Sequence, residues 1–388
     1  MLIGLKSFIN KHKYAFFIFW FMFVYNFVVI KQFSFPEMDE ITYTYHIVDF
    51  SVGFCTKLLP GAICNAILPT TEFVVVNLYF LILYHTFLII VAFMLEAFLK
   101  KFNANERMAA FIMVMFFITG PATFSIHIYR FGMLDTYWLF FTALFFIAVQ
   151  NKVLRWFVPV IFILSVFIHV SAMISFVPFF ALIVLIETIE SDNHKKSYLC
   201  IFALCVIVSF ITFIYFTSNE ADNLQLTLDE FRTFISSKNL SALDDYTMYY
   251  DYSLYRISYL DGTSIRDIPG LFGGLLLQIK ETVRAYKTFD IGYLFSVVKQ
   301  ILLSVPIVLF LYKYVYRKFR DKKHNFLGGF VYFCSLFLFP LSFVCGVLCS
   351  PDITRWYSHS LIMFSPGESH GQRSPVGYSP WGRKVRHD

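Results

Sequence analysis

Residues 73–98 read FVVVNLYFLILYHTFLIIVAFMLEAF, with a single carboxylate, Glu96, near the far end. A bilayer core takes about 20 consecutive apolar residues of helix, so this stretch is a membrane span. Similar apolar runs recur at 14–30, 108–120, 136–149, 157–168, 171–187, 198–217, 291–315 and 326–349. Several are short for a full crossing and imply tilt or partial re-entry. Across all 388 residues, 58% are hydrophobic and 15% charged, mean hydropathy is +0.64, and 50 residues are Phe. A soluble domain runs about 45–50% apolar and about 25% charged. The composition excludes a soluble globular enzyme, a disordered chain and a nucleic-acid binder. The expected fold is all-α, a polytopic membrane bundle of about 9–10 transmembrane helices including short re-entrant-like ones, spanning 1–364.

The run 157–187 is too long for one span and short for two. His169-Val170-Ser171 lies near its middle, which predicts a tight hairpin of short helices turning there. Lys6, Lys11 and Lys13 precede the first run as in a signal peptide. No small-residue cleavage site follows, so it reads as an uncleaved first span.

The net charge of +6 is concentrated in short clusters between the runs. They are the N-terminal lysines, Lys100/Lys101/Arg107, Lys152/Arg155, Lys195/Lys196, and Arg317/Lys318/Arg320/Lys322/Lys323. Lys and Arg accumulate on cytoplasmic loops. Assigning all five clusters to the cytoplasm makes every connection alternate, provided 157–187 is a hairpin. Segments 31–72, 121–135, 169–171, 218–290 and 350–359 then face outward. The last long loop is acidic over 218–270, which agrees with that side.

The outward segments hold the polar residues of interest. Loop 31–72 contains adjacent Asp39 and Glu40, then Tyr43, Tyr45, His46 and Asp49. A carboxylate there can serve as general base on a sugar hydroxyl or hold a divalent ion; solvated loop acids are the plainer reading. Segment 121–135, PATFSIHIYRFGMLD, places Arg130 and Asp135 at the start of a span. Arg suits a phosphate or diphosphate through its planar fork; snorkelling, or pairing with Asp135, is the alternative. A histidine placed like His169 can serve as acid or base near pH 7, and the alternative is a satisfied core histidine. Asp352 and Arg355 in SPDITRWYSH share a helix face if that segment is helical, beside Trp356 and Tyr357 of an interfacial belt. Tyr246, Tyr249, Tyr250, Tyr252, Tyr255 and Tyr259 suit either sugar contact or an amphipathic helix on the bilayer.

Cys55, Cys64, Cys200, Cys205, Cys334, Cys345 and Cys349 form no CxxC and no metal-ligand spacing. No metal and no cofactor are expected. They read as small apolar residues, with a Cys55–Cys64 bridge the alternative in an oxidising compartment. There is no nucleotide-binding glycine loop, GxSxG or HExxH. Residues 365–388 are rich in Gly, Pro and Ser and read as a disordered tail. Their words GESHGQRSPVGYSPWGRK resemble a translated ruminant interspersed repeat, which implies a spliced or misassembled frame replacing the span that begins at Leu361.

The order MDEITYTY, then YRFGMLDTYWLF, then IHVSAMISFVPFF resembles the EpsG/Wzy-like polysaccharide polymerases. The match covers about residues 36–183, and DITRWY later in the chain extends it. The resemblance implies a bacterial cytoplasmic-membrane enzyme that joins oligosaccharide repeat units carried on undecaprenyl diphosphate at the outer face. It makes Arg130 the family's arginine and His169 its histidine. Asp135, Asp352 and Arg355 would join Arg130 in binding substrate, and Asp39, Glu40 or His169 would take the acceptor proton. Implied partners are membrane lipid, the polyprenyl-linked glycan and other polysaccharide-assembly membrane proteins. Two alternatives share the topology: a GT-C-type glycosyltransferase using a polyprenyl-phosphate sugar, and a non-enzymatic flippase or transporter of lipid-linked glycans.

Overall fold

The computed structural model describes residues 2–38, 40–53, 56–100, 102–120, 131–191, 194–219, 291–322 and 326–349, with isolated positions between 227 and 286. The tail 365–388, most of loop 218–290 and segment 350–359 lie outside the described residues. Every apolar run of the sequence forms a helix. The elements are α1 (Leu2–Lys11), α2 (Lys13–Val24, continued by a π-helical turn Tyr25–Ile30), α3 (Glu40–Ile47), α4 (Leu59–Ile67), α5 (Phe73–Leu99), α6 (Ala104–Thr119) and α7 (Asp135–Gln150). They continue with α8 (Val158–Ile168, after a 3-10 turn Leu154–Phe157), α9 (Ala172–Ser175), α10 (Val177–Glu190), α11 (Lys195–Asn219), α12 (Ile291–Lys322) and α13 (Phe326–Cys349).

Among the described residues, five helical segments are long and apolar enough to cross a membrane: Lys13–Ile30, Phe73–Leu99, Lys195–Phe216, Val297–Asp321 and Gly328–Val347. The expectation of nine or ten therefore holds only in its coarser form, a helical bundle of an integral membrane protein. The other apolar runs make shorter helices, and burial explains one of them directly. On α7 only Phe140, Leu144, Ile147 and Gln150 escape burial, so this helix is a core element that neighbours cover on most sides.

α5 shows why the long helices suit lipid. Val76, Phe80, Tyr84, Phe87, Leu88 and Val91 bury one stripe at helical spacing. Val74, Leu78, Ile82, Ile89 and Phe93 leave the opposite stripe exposed and equally apolar. Water would penalise such a face, whereas hydrocarbon matches it. Local chemistry sets the boundaries. α6 begins before its apolar run because Asn103 Oδ1 accepts the backbone N–H of Glu106 at 2.9 Å, an N-terminal cap.

The long run 157–187 does turn back. α8 stops at Ile168, His169 is extended (φ −167°, ψ 134°), and Pro178 occupies the first turn of α10, where a missing N–H costs nothing. The Phe162 and Phe180 rings lie 5.6 Å apart; in a continuous helix those residues would be separated by about 27 Å.

Contacts sort the helix termini into two ends. At one end Lys100 Nζ meets the Lys11 carbonyl at 3.2 Å. There the buried carboxylate of Glu96 lies 2.9 Å from His12 Nδ1 and 3.0 Å from Lys100 Nζ. Tyr198 Oη donates to the Val149 carbonyl at 2.9 Å, and the Arg155 guanidinium sits 4.8 Å over the Tyr198 ring. Tyr332 Oη donates to Glu190 Oε1 at 2.7 Å, with Lys318 Nζ 3.5 Å away. This is the end that carries the basic clusters. At the other end Tyr25 Oη donates to the Thr119 carbonyl at 3.0 Å, and Phe80 at the start of α5 stacks edge-on against Phe131, just before α7, at 4.8 Å.

Candidate functional site

The site grows from loop 31–72, which folds into a helical cap instead of a solvated loop. α3 and α4 pack on each other and cover the non-basic ends of α5, α7 and α8. Tyr43, Tyr45 and His46 are buried. Tyr43 Oη donates to the Thr71 carbonyl, and its ring meets Phe73 edge-on at 5.3 Å. Asp49 holds the turn Phe50–Val52, where its Oδ1 accepts from Ser51 N at 2.9 Å and Asn65 Nδ2 donates to its Oδ2. Tyr43 and Asp49 therefore spend their polarity within the cap. Cys64 is buried with a free thiol, and burial pushes that thiol up to about 12, so it stays protonated.

Three stretches far apart in sequence meet beneath the cap. Thr42 Oγ1 of α3 donates to the Phe131 carbonyl at 3.4 Å. The His46 ring lies 5.7 Å from that of Tyr137 on α7. Trp138, the next residue, is fully buried; its Nε1 donates to the Ser165 carbonyl at 2.9 Å. Its ring lies 6.0 Å edge-on from His169 and 4.8 Å from Phe176. The first turn of α7 thus presents one aromatic residue to each of two histidines. Gly132, at φ +97°, makes the approach of α3 possible: a Cβ there would lie 2.7 Å from Met38 Cγ and from Thr42 Oγ1.

Among the residues expected to carry function, the structure describes three. Asp135 is the first residue of α7 and is 2% exposed; a carboxylate at a helix N-terminus is favoured by the helix dipole. His169 is half-buried. Its Nδ1 accepts from Ser171 N at 3.1 Å and contacts Ser171 Oγ at 2.6 Å. A nitrogen that accepts a backbone N–H is the unprotonated one, so the neutral ring carries its proton on Nε2. Glu40 begins α3. Asp39, Arg130, Asp352 and Arg355 lie outside the described residues. Among the described residues no group of three or more His, Cys, Asp or Glu is placed to hold a metal.

Two residues emerge from the structure to which sequence reasoning gave no role. Lys57 is 5% exposed and left-handed at φ +73°; its N–H donates to the Phe167 carbonyl at 3.1 Å, which ties the cap to the end of α8. His46 is completely buried. Its Nδ1 lies 2.7 Å from the Thr42 carbonyl, which can only accept, so Nδ1 carries the proton and Nε2 presents a bare lone pair. That Nε2 has no hydrogen-bond partner among the described residues. Such a buried orphan costs about 1–3 kcal/mol.

Burial pushes His46 down to about 4, the bond to the Thr42 carbonyl working the other way. An unfolded histidine titrates near 6.5. Between those values the unfolded chain binds a proton that the folded chain refuses. Stability is therefore complete above about pH 6.5 and is lost as pH falls toward 4. At pH 5 the loss amounts to about 2 kcal/mol. Thermal unfolding in detergent at pH 7.5 and pH 5 checks this: His46→Phe should remove the part of the acid-induced drop in Tm that corresponds to that loss, and equal drops in wild type and variant would contradict it.

Comparison of the chain with protein-family models, with characterised proteins and with solved structures finds no match.

Proposed function

We propose that the chain is a bacterial cytoplasmic-membrane polymerase that joins undecaprenyl-diphosphate-linked oligosaccharide repeat units at the outer face. In this reading all nine apolar helices cross or enter the bilayer, the basic end faces the cytoplasm, and the cap faces out. The observation that carries the reading is the convergence under the cap. The segment that holds YRFGMLDTYWLF touches both the one that holds MDEITYTY, about 90 residues before it, and the one that holds IHVSAMISFVPFF.

The reaction joins the anomeric carbon of a donor chain to a hydroxyl oxygen of an acceptor repeat unit. The acceptor oxygen forms the new bond, the bond from the anomeric carbon to the diphosphate oxygen breaks, and its electron pair leaves on the diphosphate. Arg130, with Arg355, neutralises the charge that builds there. Asp39 or Glu40 takes the proton from the acceptor hydroxyl. Asp135 and Asp352 orient the arginines. His169, with its proton on Nε2, serves better as a hydrogen-bond donor to substrate than as the base.

The test is reconstitution. Purified protein in liposomes, given lipid-linked oligosaccharides extracted from cells that make surface polysaccharide, should yield a ladder of products spaced by one repeat unit. Addition of a single sugar from a polyprenyl-phosphate donor would indicate the GT-C transferase instead. Movement of unaltered lipid-linked glycan between leaflets, without a ladder, would indicate the flippase.

A further inference from the structure

The polymerase reading leaves one group unused. His46 is a fully buried acceptor with its lone pair unpartnered among the described residues, six residues along α3 from Glu40. Its surroundings are aromatic. Phe80 meets the ring edge-on at 5.2 Å, Tyr137 lies tilted at 5.7 Å, and Phe131 packs on Phe80 at 4.8 Å. Nδ1 is committed to the Thr42 carbonyl, so the tautomer is fixed and Nε2 can only accept.

The chemistry of that arrangement selects its ligand. A bare nitrogen lone pair repels an anion, which excludes phosphate and carboxylate. It calls for a neutral donor, and aromatic faces alongside it suit the C–H faces of a pyranose ring. We infer that His46 Nε2 accepts a hydrogen bond from a hydroxyl of the acceptor sugar, making the junction of α3, α5 and α7 the acceptor subsite, separate from the place where the diphosphate is held. Assigning the sugar as the acceptor rests on the polymerase reading; the sugar-binding role of His46 does not. Entry requires α3 to shift from α5 and α7, since the ring is wholly covered as the cap stands.

His46 is close to neutral throughout the range from pH 6.5 upward, so binding there should not vary with pH in that range. Two measurements on the full chain test the inference. In detergent, with ¹⁵N-labelled histidine and the His46 resonances assigned by their loss in His46→Gln, methyl glycosides of glucose, galactose and N-acetylglucosamine are added at millimolar concentration. At least one should move the Nε2 resonance saturably toward its hydrogen-bonded position, and inorganic diphosphate should not. If no glycoside moves it, or diphosphate moves it as much, the inference is wrong. If Nε2 starts at the hydrogen-bonded position and no glycoside displaces it, water is the occupant and the inference is equally wrong.

The second measurement is the ladder. In His46→Gln the amide oxygen reaches the Nε2 position, so at least a third of chain extension should remain. His46→Asn and His46→Phe cannot offer an acceptor there and should lose tenfold or more, with Tm at pH 7.5 held. A normal ladder from His46→Phe would overturn the assignment. If wild type itself makes no ladder, the polymerase reading fails, and the resonance experiment alone decides whether His46 binds a sugar.

Discussion

Gly61→Ala is expected to detach the cap from the bundle. Gly61 sits in the first turn of α4, where a Cβ would lie 1.9 Å from the carbonyl oxygen of Val48, 2.6 Å from its carbon and 3.1 Å from its nitrogen. All three are backbone atoms of the chain leaving α3, so no side chain can swing aside. α4 would have to retreat from α3 by more than an ångström, against the interlock of Asp49 with Ser51 and Asn65. Overpacking that side chains can absorb costs about 1–3 kcal/mol; a clash with backbone belongs at or above the top of that range. The variant should insert in the membrane, because α5 and the other long helices are untouched. It should become sensitive to protease between 48 and 72 and should give no ladder. Gly132→Ala, whose nearest neighbours are the Met38 and Thr42 side chains and whose backbone is left-handed, should show the same change more weakly. A Gly61→Ala protein with wild-type protease resistance would mean that the cap does not pack as described.

Arg130→Lys is expected to abolish chain extension while leaving the protein in the membrane at its normal level. Lysine keeps the positive charge but loses the planar fork that holds two phosphate oxygens at once. If Arg130 neutralises the departing diphosphate, loss of that geometry should cost on the order of 10²-fold or more in rate. If it only reaches lipid headgroups, lysine reaches them as well, and the ladder should be unchanged. Arg130 would then leave the site, and the mechanism would rest on Asp39, Glu40 and the residues under the cap.

How much of this could be read from the sequence depends on the length scale of the signal. Each long helix announces itself, because about 20 apolar residues in a row have few other uses. The reversal at His169 was legible too: His169 and Ser171 interrupt an apolar run, and Pro178 marks the restart of the helix. The cap was not legible. α3 and α4 are eight and nine residues long, too short for periodicity to separate them from a polar loop. Tyr43, Tyr45 and His46 look solvated in sequence and are buried only because α5 and α7 come to meet them. The close approaches at Gly61 and Gly132 are tertiary facts with no local signature beyond the glycine. His46 was named but given no role for the same reason: Thr42 and His46 stand four apart, an ordinary helical spacing, and nothing local says that Nε2 is buried among aromatic rings. The hydrophobic pattern also does not separate a full crossing from a buried helix. It registers apolarity alone, and α7 is apolar because it is buried by protein.

The sidedness of the cap tests the account most directly, since an enzyme acting on exported lipid-linked glycans must present its site outward. In a background without native cysteines, Ala66→Cys reports on the exposed end of α4 and Lys152→Cys on the basic end, both positions being exposed. A membrane-impermeant maleimide applied to intact cells should label Ala66→Cys fully and leave Lys152→Cys unlabelled until the membrane is opened. The reverse pattern would place His46, Asp135 and His169 at the cytoplasmic face and contradict the account.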